Sequence, residues 1–566
     1  MKRHWPTWTK VAASLLRNPF GREGSSRAIA LPVPAFTLLF SLVLLFGFNR
    51  PLWREVLRLS TAVDAPGWIF PASLLVTLAL AFNAVLTLFA WPGLLKPVSI
   101  ALLLIALFAD HFMRQFGIFI DREMMRNLFE TDWREARELL TLSLLGQFLG
   151  AGVIPAWVIT RLPLVFPRGW RRQGVRNGVI LFLSLAIGVA LIAVEFKHYS
   201  VFFRNNRHVR HLVNPVNVLY GTSGYLKRHF LQQTRPLLAI GTDAAAGPRL
   251  QRAGKRLLFV LAVGETARAA NFSLQGYTRP TNPRLAGAGG VYFSRVTACG
   301  TSTAASLPCM FSAKGRAEFS DEEAGSTEGL LDLLQRAGIG VIWLDNNSGC
   351  KGACDRVAYE DLSQADRPEH CSAEGCLDSV MNARLDEILA TRSGPLVVVL
   401  HQKGSHGPAY YKRYPDSFRH FTPTCDRDEI DRCDREAIIN AYDNSILFTD
   451  SVLADLILLL QKYEQAFDPA MLYVSDHGES LGENGLYLHG MPFLLAPESQ
   501  THVPMYLWTS PGFRAAMALE EGCLERVGPE PLSHDNLFHT ILGILDVRTE
   551  VWQSALDFTQ VCRPPR

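Results

Sequence analysis

The sequence predicts two halves of different class: an N-terminal transmembrane domain of five helices and a C-terminal α/β domain on a mainly parallel sheet. Three observations predict it. Long apolar segments recur only before residue 200, and short apolar runs alternate with polar helical stretches after Lys255. All ten cysteines lie between Cys299 and Cys562, with none in residues 1–298. The chain has 566 residues, 48% of them hydrophobic, and its 43 Gly and 32 Pro are dispersed, which excludes disordered and collagen-like classes. A net charge of +3 does not point to nucleic acid as a partner.

In chain order, residues 1–195 form the predicted membrane domain, with helices over about 34–53, 68–91, 97–116, 144–164 and 179–195. A helix of about 20 apolar residues crosses the hydrocarbon core. The first segment is short by that measure, and the third turns polar from Asp110, so its far end is expected among headgroups. Lys/Arg bias orients the set. Residues 1–30 carry six Lys/Arg and one acid, and residues 161–177 carry five Arg and no acid, so both are expected on the cytoplasmic side. The 118–143 connection balances four Arg with six acids and suits the outside. Five crossings place everything after residue 195 outside. The basic residues Lys197, Arg204, Arg207 and Arg210 oppose that placement, and the confinement of cysteines to the second half decides for it.

Residues 196–256 form a connector with eleven Lys/Arg and one acid, interleaved with aromatics such as Tyr199, Phe202, Tyr220 and Tyr225. Two readings stand: a segment lying on an anionic lipid surface, or a solvated linker. Residues 110–140 read as an amphipathic helix that also touches headgroups. The cysteine spacings (Cys299/Cys309, Cys350/Cys354, Cys371/Cys376, Cys425/Cys433) suit local disulfides, which leaves Cys523 and Cys562 as the remaining pair. The alternatives are buried thiols or a zinc cluster, though the flanks lack zinc-knuckle spacing.

Residues 257–566 carry the α/β alternation. The runs Leu257–Val263, Gly340–Leu344, Leu396–Leu400 and Met471–Val474 read as strands, with helices over 327–337, 379–391 and 435–463 between them. Each run ends in polar residues: Glu265 after the first, Asp345–Ser348 after the second, His401 and His406 after the third, and Asp476-His477 after the fourth. In such folds ligands gather beyond the carboxyl ends of the strands. Carboxylate plus imidazole without thiolate suits zinc or manganese. Taken singly, Glu265 could instead serve a helix N-terminus and His489 could be a surface imidazole. The segment Cys299–Ser312 (CGTSTAASLPCMFS) presents Thr301, Ser302, Thr303 and Ser306 on a loop between two cysteines, and reads either as a nucleophile turn or as a Ser/Thr capping loop.

VGETAR, CGTSTAASLPCMFS, DNNSGCKGACDRV, HQKGSHGPAYYKRYP and SDHGESLGENGLYLHGMP, with RQFGIFIDREMMRNLFETD in the membrane half, resemble the phosphoethanolamine transferases that modify lipid A. That group belongs to the alkaline phosphatase and sulfatase superfamily and includes the mobile colistin-resistance enzymes. The resemblance implies a catalytic domain of that type, held in the periplasm by a multi-pass anchor in a bacterial inner membrane. It implies Thr303 as nucleophile, with Glu265, Asp476, His477 and Thr303 around a tightly held Zn2+. It also implies His406 and His489 at a second zinc or the substrate phosphate, where either could protonate the leaving oxygen, and Asn347, Ser348 and Lys351 near the phosphoethanolamine. The cysteine pairs match family disulfides, save Cys523/Cys562, which rests on counting. The implied reaction moves phosphoethanolamine from phosphatidylethanolamine to a phosphate of lipid A, or lipopolysaccharide, through a covalent threonine intermediate, and confers resistance to cationic peptides such as polymyxin and colistin. A phosphoglycerol transferase or a phosphatase would use the same nucleophile and metal.

Overall fold

The computed structural model describes residues 30–60, 68–131, 133–232, 236–372 and 374–564. The basic N-terminal tail, on which much of the orientation argument rests, lies outside the described residues.

Four described helices are long and apolar enough to cross a membrane unaided: α3 (Ile69–Leu88), α4 (Leu95–Phe116), α7 (Leu142–Arg161) and α8 (Trp170–Val194). The expected first helix over 34–53 is not continuous. It is a bent pair, α1 (Val33–Gly47) and α2 (Arg50–Ser60), turning through 72°. The break falls at Asn49, whose buried side chain donates to the carbonyl oxygens of Leu44 and of the distant Asn214, fastening the bend to the segment around residue 214. The last helix begins at Trp170, nine residues before its expected start, because the basic stretch Arg171–Arg176 is itself helical. Phe36, Phe40, Leu44, Leu86, Leu103 and Leu107 form a buried cluster among α1, α3 and α4.

The predicted amphipathic helix over 110–140 breaks into three. Gly117 ends α4 with φ of +71°, Asp121 caps α5 (Arg122–Glu130) by accepting from the Met124 N–H at 2.9 Å, and α6 (Trp133–Glu138) follows. The connector is largely helical, as α9 (Phe196–Asn205) and α10 (Val216–Gln232). Both sequence readings left its aromatics outside the protein, whereas Tyr199 and Phe202 are buried with Phe70, Leu74 and Met113 of the membrane helices. Tyr220 stays exposed at 66%.

The second half is built on an eight-stranded sheet. In chain order its strands are β1 (Arg256–Gly264), β2 (Val291–Thr297), β3 (Gly340–Asp345), β4 (Ala358–Asp361), β5 (Leu396–His401), β6 (Phe467–Ser475), β7 (His502–Thr509) and β8 (Leu532–Ser533). Their spatial order is β8-β2-β7-β6-β1-β5-β3-β4. The run β6-β1-β5-β3-β4 is parallel, and β7 lies antiparallel to both β6 and β2. Successive side chains of a strand face opposite sides. Accordingly Leu257, Phe259, Leu261 and Val263 enter one core, with α12 (Leu330–Arg336) and α15 (Asp535–Ile544). Leu258, Val260 and Ala262 enter the other, with α13 (Ser379–Thr391) and α14 (Arg435–Lys462). Burial on both faces is why these strands read as unbroken apolar runs.

Five disulfides join Cys299 to Cys309, Cys350 to Cys354, Cys371 to Cys376, Cys425 to Cys433 and Cys523 to Cys562. The halves meet where α4 and α5 press on the loop after β6. A Cβ at Gly117 would lie 2.9 Å from the Gly485 oxygen, and one at Gly490 2.9 Å from Met124 Cε. Glu138 beyond α5 accepts from the buried Arg413 guanidinium at 2.8 Å.

Candidate active site and metal centre

Parallel pairing sets the site. Val263 is level with His401, Gly264 with Ser475, and His401 with Asp345, so the residues after four strands emerge along one edge. Glu265, Asp476 and His477 come together there, fully buried, with ligand atoms all within 4.8 Å of one another. The turn after Glu265 is tight: Thr266 adopts φ of +53°, rare for a β-branched residue, and a Cβ at Gly404 would lie 2.6 Å from the Glu265 carbonyl oxygen.

Thr303 is the first residue of α11 (Thr303–Met310), and the Cys299–Cys309 disulfide ties the loop before it to the helix's far end. Its hydroxyl donates to Glu265 Oε2 at 2.9 Å and lies 3.5 Å from His477 Nε2. His477 Nδ1 is 2.9 Å from the Gly478 carbonyl, which can only accept. Nδ1 therefore carries the hydrogen, and Nε2 faces Glu265 Oε1 at 3.4 Å and Asp476 Oδ2 at 3.5 Å.

The charges in this cluster are unbalanced. Burial opposes protonation of His477, yet the Asp476 and Glu265 carboxylates overcome it and push the imidazole up to about 10. Burial, then repulsion from Glu265, pushes Asp476 up to about 6. Burial would also raise Glu265, but the hydrogen bond and charge of His477 hold it well below the usual carboxylate range. Glu265 Oε1 and Asp476 Oδ2 are buried without a hydrogen-bond partner. Two carboxylates, an imidazole nitrogen and a hydroxyl facing one another fit a four-coordinate dication such as zinc.

The other predicted residues are dispersed around this core. Asn347 Nδ2 donates to Glu265 Oε2 at 2.6 Å and to His401 Nε2 at 3.2 Å, so it steadies the Glu265 carboxylate directly. The His489 ring stacks 4.4 Å from His477 and 5.7 Å from His406, placing both half-buried imidazoles at the approach to Thr303. Lys351 Nζ donates to the Ser348 carbonyl at 2.9 Å. A polar cleft of about 940 Å³ opens beside Asn347 and Ser348, bounded also by Asp378, Lys403 and Arg413.

Three further groups support the site; Asp345 is among the polar strand ends read from the sequence, whereas the roles of Glu479 and His534 are not. Asp345 Oδ2 accepts from His401 Nδ1 at 2.9 Å and from Trp343 Nε1 at 2.8 Å, orienting the imidazole that faces Asn347. Glu479 is buried 3.4 Å from His489 Nδ1. His534 accepts from the Cys299 N–H and donates to the Ser475 carbonyl, both at 3.0 Å, and so joins the loop before Thr303 to the strand before Asp476. Asp345 and Glu479 sit inside the quoted motifs, whereas His534 stands alone in the turn before α15 and carries no sequence signal.

Residues 258–547 match the Sulfatase family model, and residues 78–230 match the model described as phosphoethanolamine transferase EptA/EptB. The chain is 38% identical over 535 residues to the phosphoethanolamine transferase EptA of Escherichia coli K12, covering 94% of this chain and 98% of that one. It is 37% identical to the phosphatidylethanolamine transferase Mcr-1 of Escherichia coli, over 85% of this chain and 88% of that one. Among solved structures, the lipooligosaccharide phosphoethanolamine transferase A of Neisseria meningitidis superposes with a TM-score of 0.88 at 35% identity, covering 94% of this chain and 99% of that one. Identity spread across both halves, together with the Thr303 centre, makes the chain a member of the phosphoethanolamine transferase family.

Proposed function

We propose that the protein transfers phosphoethanolamine from phosphatidylethanolamine to a phosphate of lipid A, through a covalent phosphoethanolamine-threonine intermediate on Thr303. The observation that carries this reading is the Thr303 hydroxyl, set at a helix start and aimed at Glu265 beside His477. A zinc ion bound by Glu265, Asp476, His477 and Thr303 would lower the pKa of that hydroxyl and offset charge on the phosphoryl oxygens.

Thr303 Oγ attacks the phosphorus in line as its proton leaves through the hydrogen bond to Glu265. The P–O bond to the glycerol breaks, and diacylglycerol departs after taking a proton from His406 or His489, the imidazoles at the approach. A phosphate oxygen of lipid A then attacks the same phosphorus, the bond from phosphorus to Thr303 Oγ breaks, the proton held at Glu265 returns to Oγ, and the imidazole regains its own from the attacking phosphate or from water. The amino end of α11 points its free N–H groups at the phosphoryl group and favours its negative charge. Asn347, Ser348 and Lys351 flank the ethanolamine phosphate, and the adjoining polar cleft leaves room for a headgroup.

The same reading places the anchor in a bacterial inner membrane and the second half in the periplasm, where disulfides persist. Donor and acceptor both keep their acyl chains in a bilayer, so an anchored enzyme need not extract either. The added ammonium offsets phosphate charge on the product, which weakens the binding of cationic peptides such as colistin.

Mass spectrometry of lipid A from cells expressing the protein tests the reading. The wild type adds the mass of one phosphoethanolamine, and Thr303→Ala lowers that product by roughly a thousandfold or more. An unmodified lipid A in the wild type, or full modification in the variant, overturns it.

A further inference from the structure

The turn Phe493–Leu495 begins four residues beyond His489 and presents its two leucines outward. Leu494 is 96% exposed, more than any other large apolar side chain among the described residues, and Leu495 is 42% exposed. Scattered surface leucines need no explanation. This turn differs in three ways.

It is rigid. Pro492 and Pro497 bracket it, with φ of −52° and −68°. Its base is fastened: Thr301 Oγ1 donates to the Met491 carbonyl at 2.6 Å, Gln500 accepts from the Met491 N–H at 3.2 Å, and the Arg316 guanidinium lies 3.4 Å from the Phe493 ring centroid. Proline and these ties hold the leucines out in a fixed arrangement, so nothing lets them fold back onto the protein.

It is also tied to the nucleophile. Thr301 is two residues before Thr303, and the Gly490 N–H donates to its carbonyl at 2.7 Å. Any force on the turn therefore passes to the loop that carries the reactive hydroxyl.

Finally, it stands beside the membrane-facing part of the molecule. Gly490 packs on Met124 and Asn127 of α5, directly after the membrane helix α4, and α5 exposes Leu128 at 58% and Phe129 at 52%. Leu494 follows Gly490 by four residues, which span at most about 14 Å even when fully extended. Leu494 thus lies within about 14 Å of the point where Gly490 meets α5, the helix that follows the membrane span and itself exposes Leu128 and Phe129.

We propose that the Phe493–Leu495 turn inserts into the phospholipid bilayer on the catalytic side. Leu494 and Leu495 sit among the acyl chains, so the mouth of the Thr303 site is held at headgroup level. The proposal rests on the membrane helices and not on the identity of the substrates, so it stands or falls separately from the transfer reaction.

The test is site-directed spin labelling of the full chain in phosphatidylethanolamine/phosphatidylglycerol proteoliposomes. Every native cysteine is in a disulfide, so a new thiol takes the nitroxide alone. Labels at Leu494→Cys and Leu495→Cys are compared with Phe182→Cys in the middle of α8 and Leu458→Cys near the end of α14, both exposed positions. The expected result is that the labels at 494 and 495 collide more often with oxygen than with a water-soluble nickel chelate, as at 182. Collision ratios equal to that at 458 overturn the proposal, as does depth that appears only at 495. That pattern would mean the tip itself stays in water.

Discussion

Glu265 Oε1 and Asp476 Oδ2 both face His477 Nε2, at 3.4 and 3.5 Å, without a hydrogen bond to it, so the imidazolium alone offsets two buried carboxylates. Like charges held this close in a dry site repel unless a cation stands between them. Removing zinc with a chelator should therefore abolish transfer and lower the thermal midpoint, and restoring zinc at a thousandfold over its Kd should return about 4 kcal/mol. Activity that survives verified zinc depletion, by elemental analysis, contradicts the metal's role. The convergence of Glu265, Asp476 and His477 was legible in the sequence because each follows an apolar run and lies in a motif. The reach of Lys351 was not, because its φ of +52° and its bond to Ser348 depend on a local turn. His534 was invisible for a different reason: its function is to join two distant segments, and pairing across 235 residues leaves no local spacing.

Elements carry the next level. His534 fixes the start of α11 against β6, and burial pushes its imidazole down to about 3, so it stays neutral and keeps one nitrogen accepting and the other donating. His534→Ala should lower kcat by about 10- to 100-fold with KM and bound zinc little changed, since a displacement of about 1 Å at a reacting group has that effect. A fall in zinc content instead would show that the residue supports the ligands and not the nucleophile. Within α14, burial pushes Asp450 up to about 6 from 3.8, although it accepts from the N–H groups of Arg284 and Leu285. The folded state thus holds this proton more tightly than the unfolded chain. Its contribution is complete below about pH 4 and is lost as pH rises through about 6, for a total near 3 kcal/mol. Asp450→Asn should flatten the fall in thermal midpoint between pH 4 and pH 7; an unchanged slope would assign it to other groups. The parallel strands β1, β3, β5 and β6 were readable because both faces are buried. The strand β7 was not: Pro504 interrupts its run, and the register shifts between Val503 and Met505 to accommodate it. β2 was hidden because half its side chains face outward.

For the whole molecule, sidedness depends on how the bent pair α1–α2 is counted. If the pair makes one crossing, the described helices cross five times, and the loop after α7 lies opposite the catalytic half. A membrane-impermeant thiol reagent applied to intact spheroplasts should then label Leu140→Cys and leave Arg168→Cys untouched until the membrane is opened. Labelling of both in intact spheroplasts would refute a crossing by α7. The bend is cued by Gly47 and Pro51 on either side of the break, but its fastening is not, because Asn49 pairs with Asn214, far along the chain. Cysteine placement and charge bias, by contrast, were legible at this scale, since a compartment acts on long stretches of chain at once.

The close approach of Gly117 to Gly485 and of Gly490 to Met124 leaves no slack for a side chain on either surface. A chimera that exchanges anchors between relatives must therefore import residues 482–490 together with α4 and α5. Otherwise the borrowed anchor meets a mismatched seat, and the hybrid holds its reactive threonine at the wrong tilt. Natural recombination within the family should accordingly favour crossovers that keep these two segments from one parent.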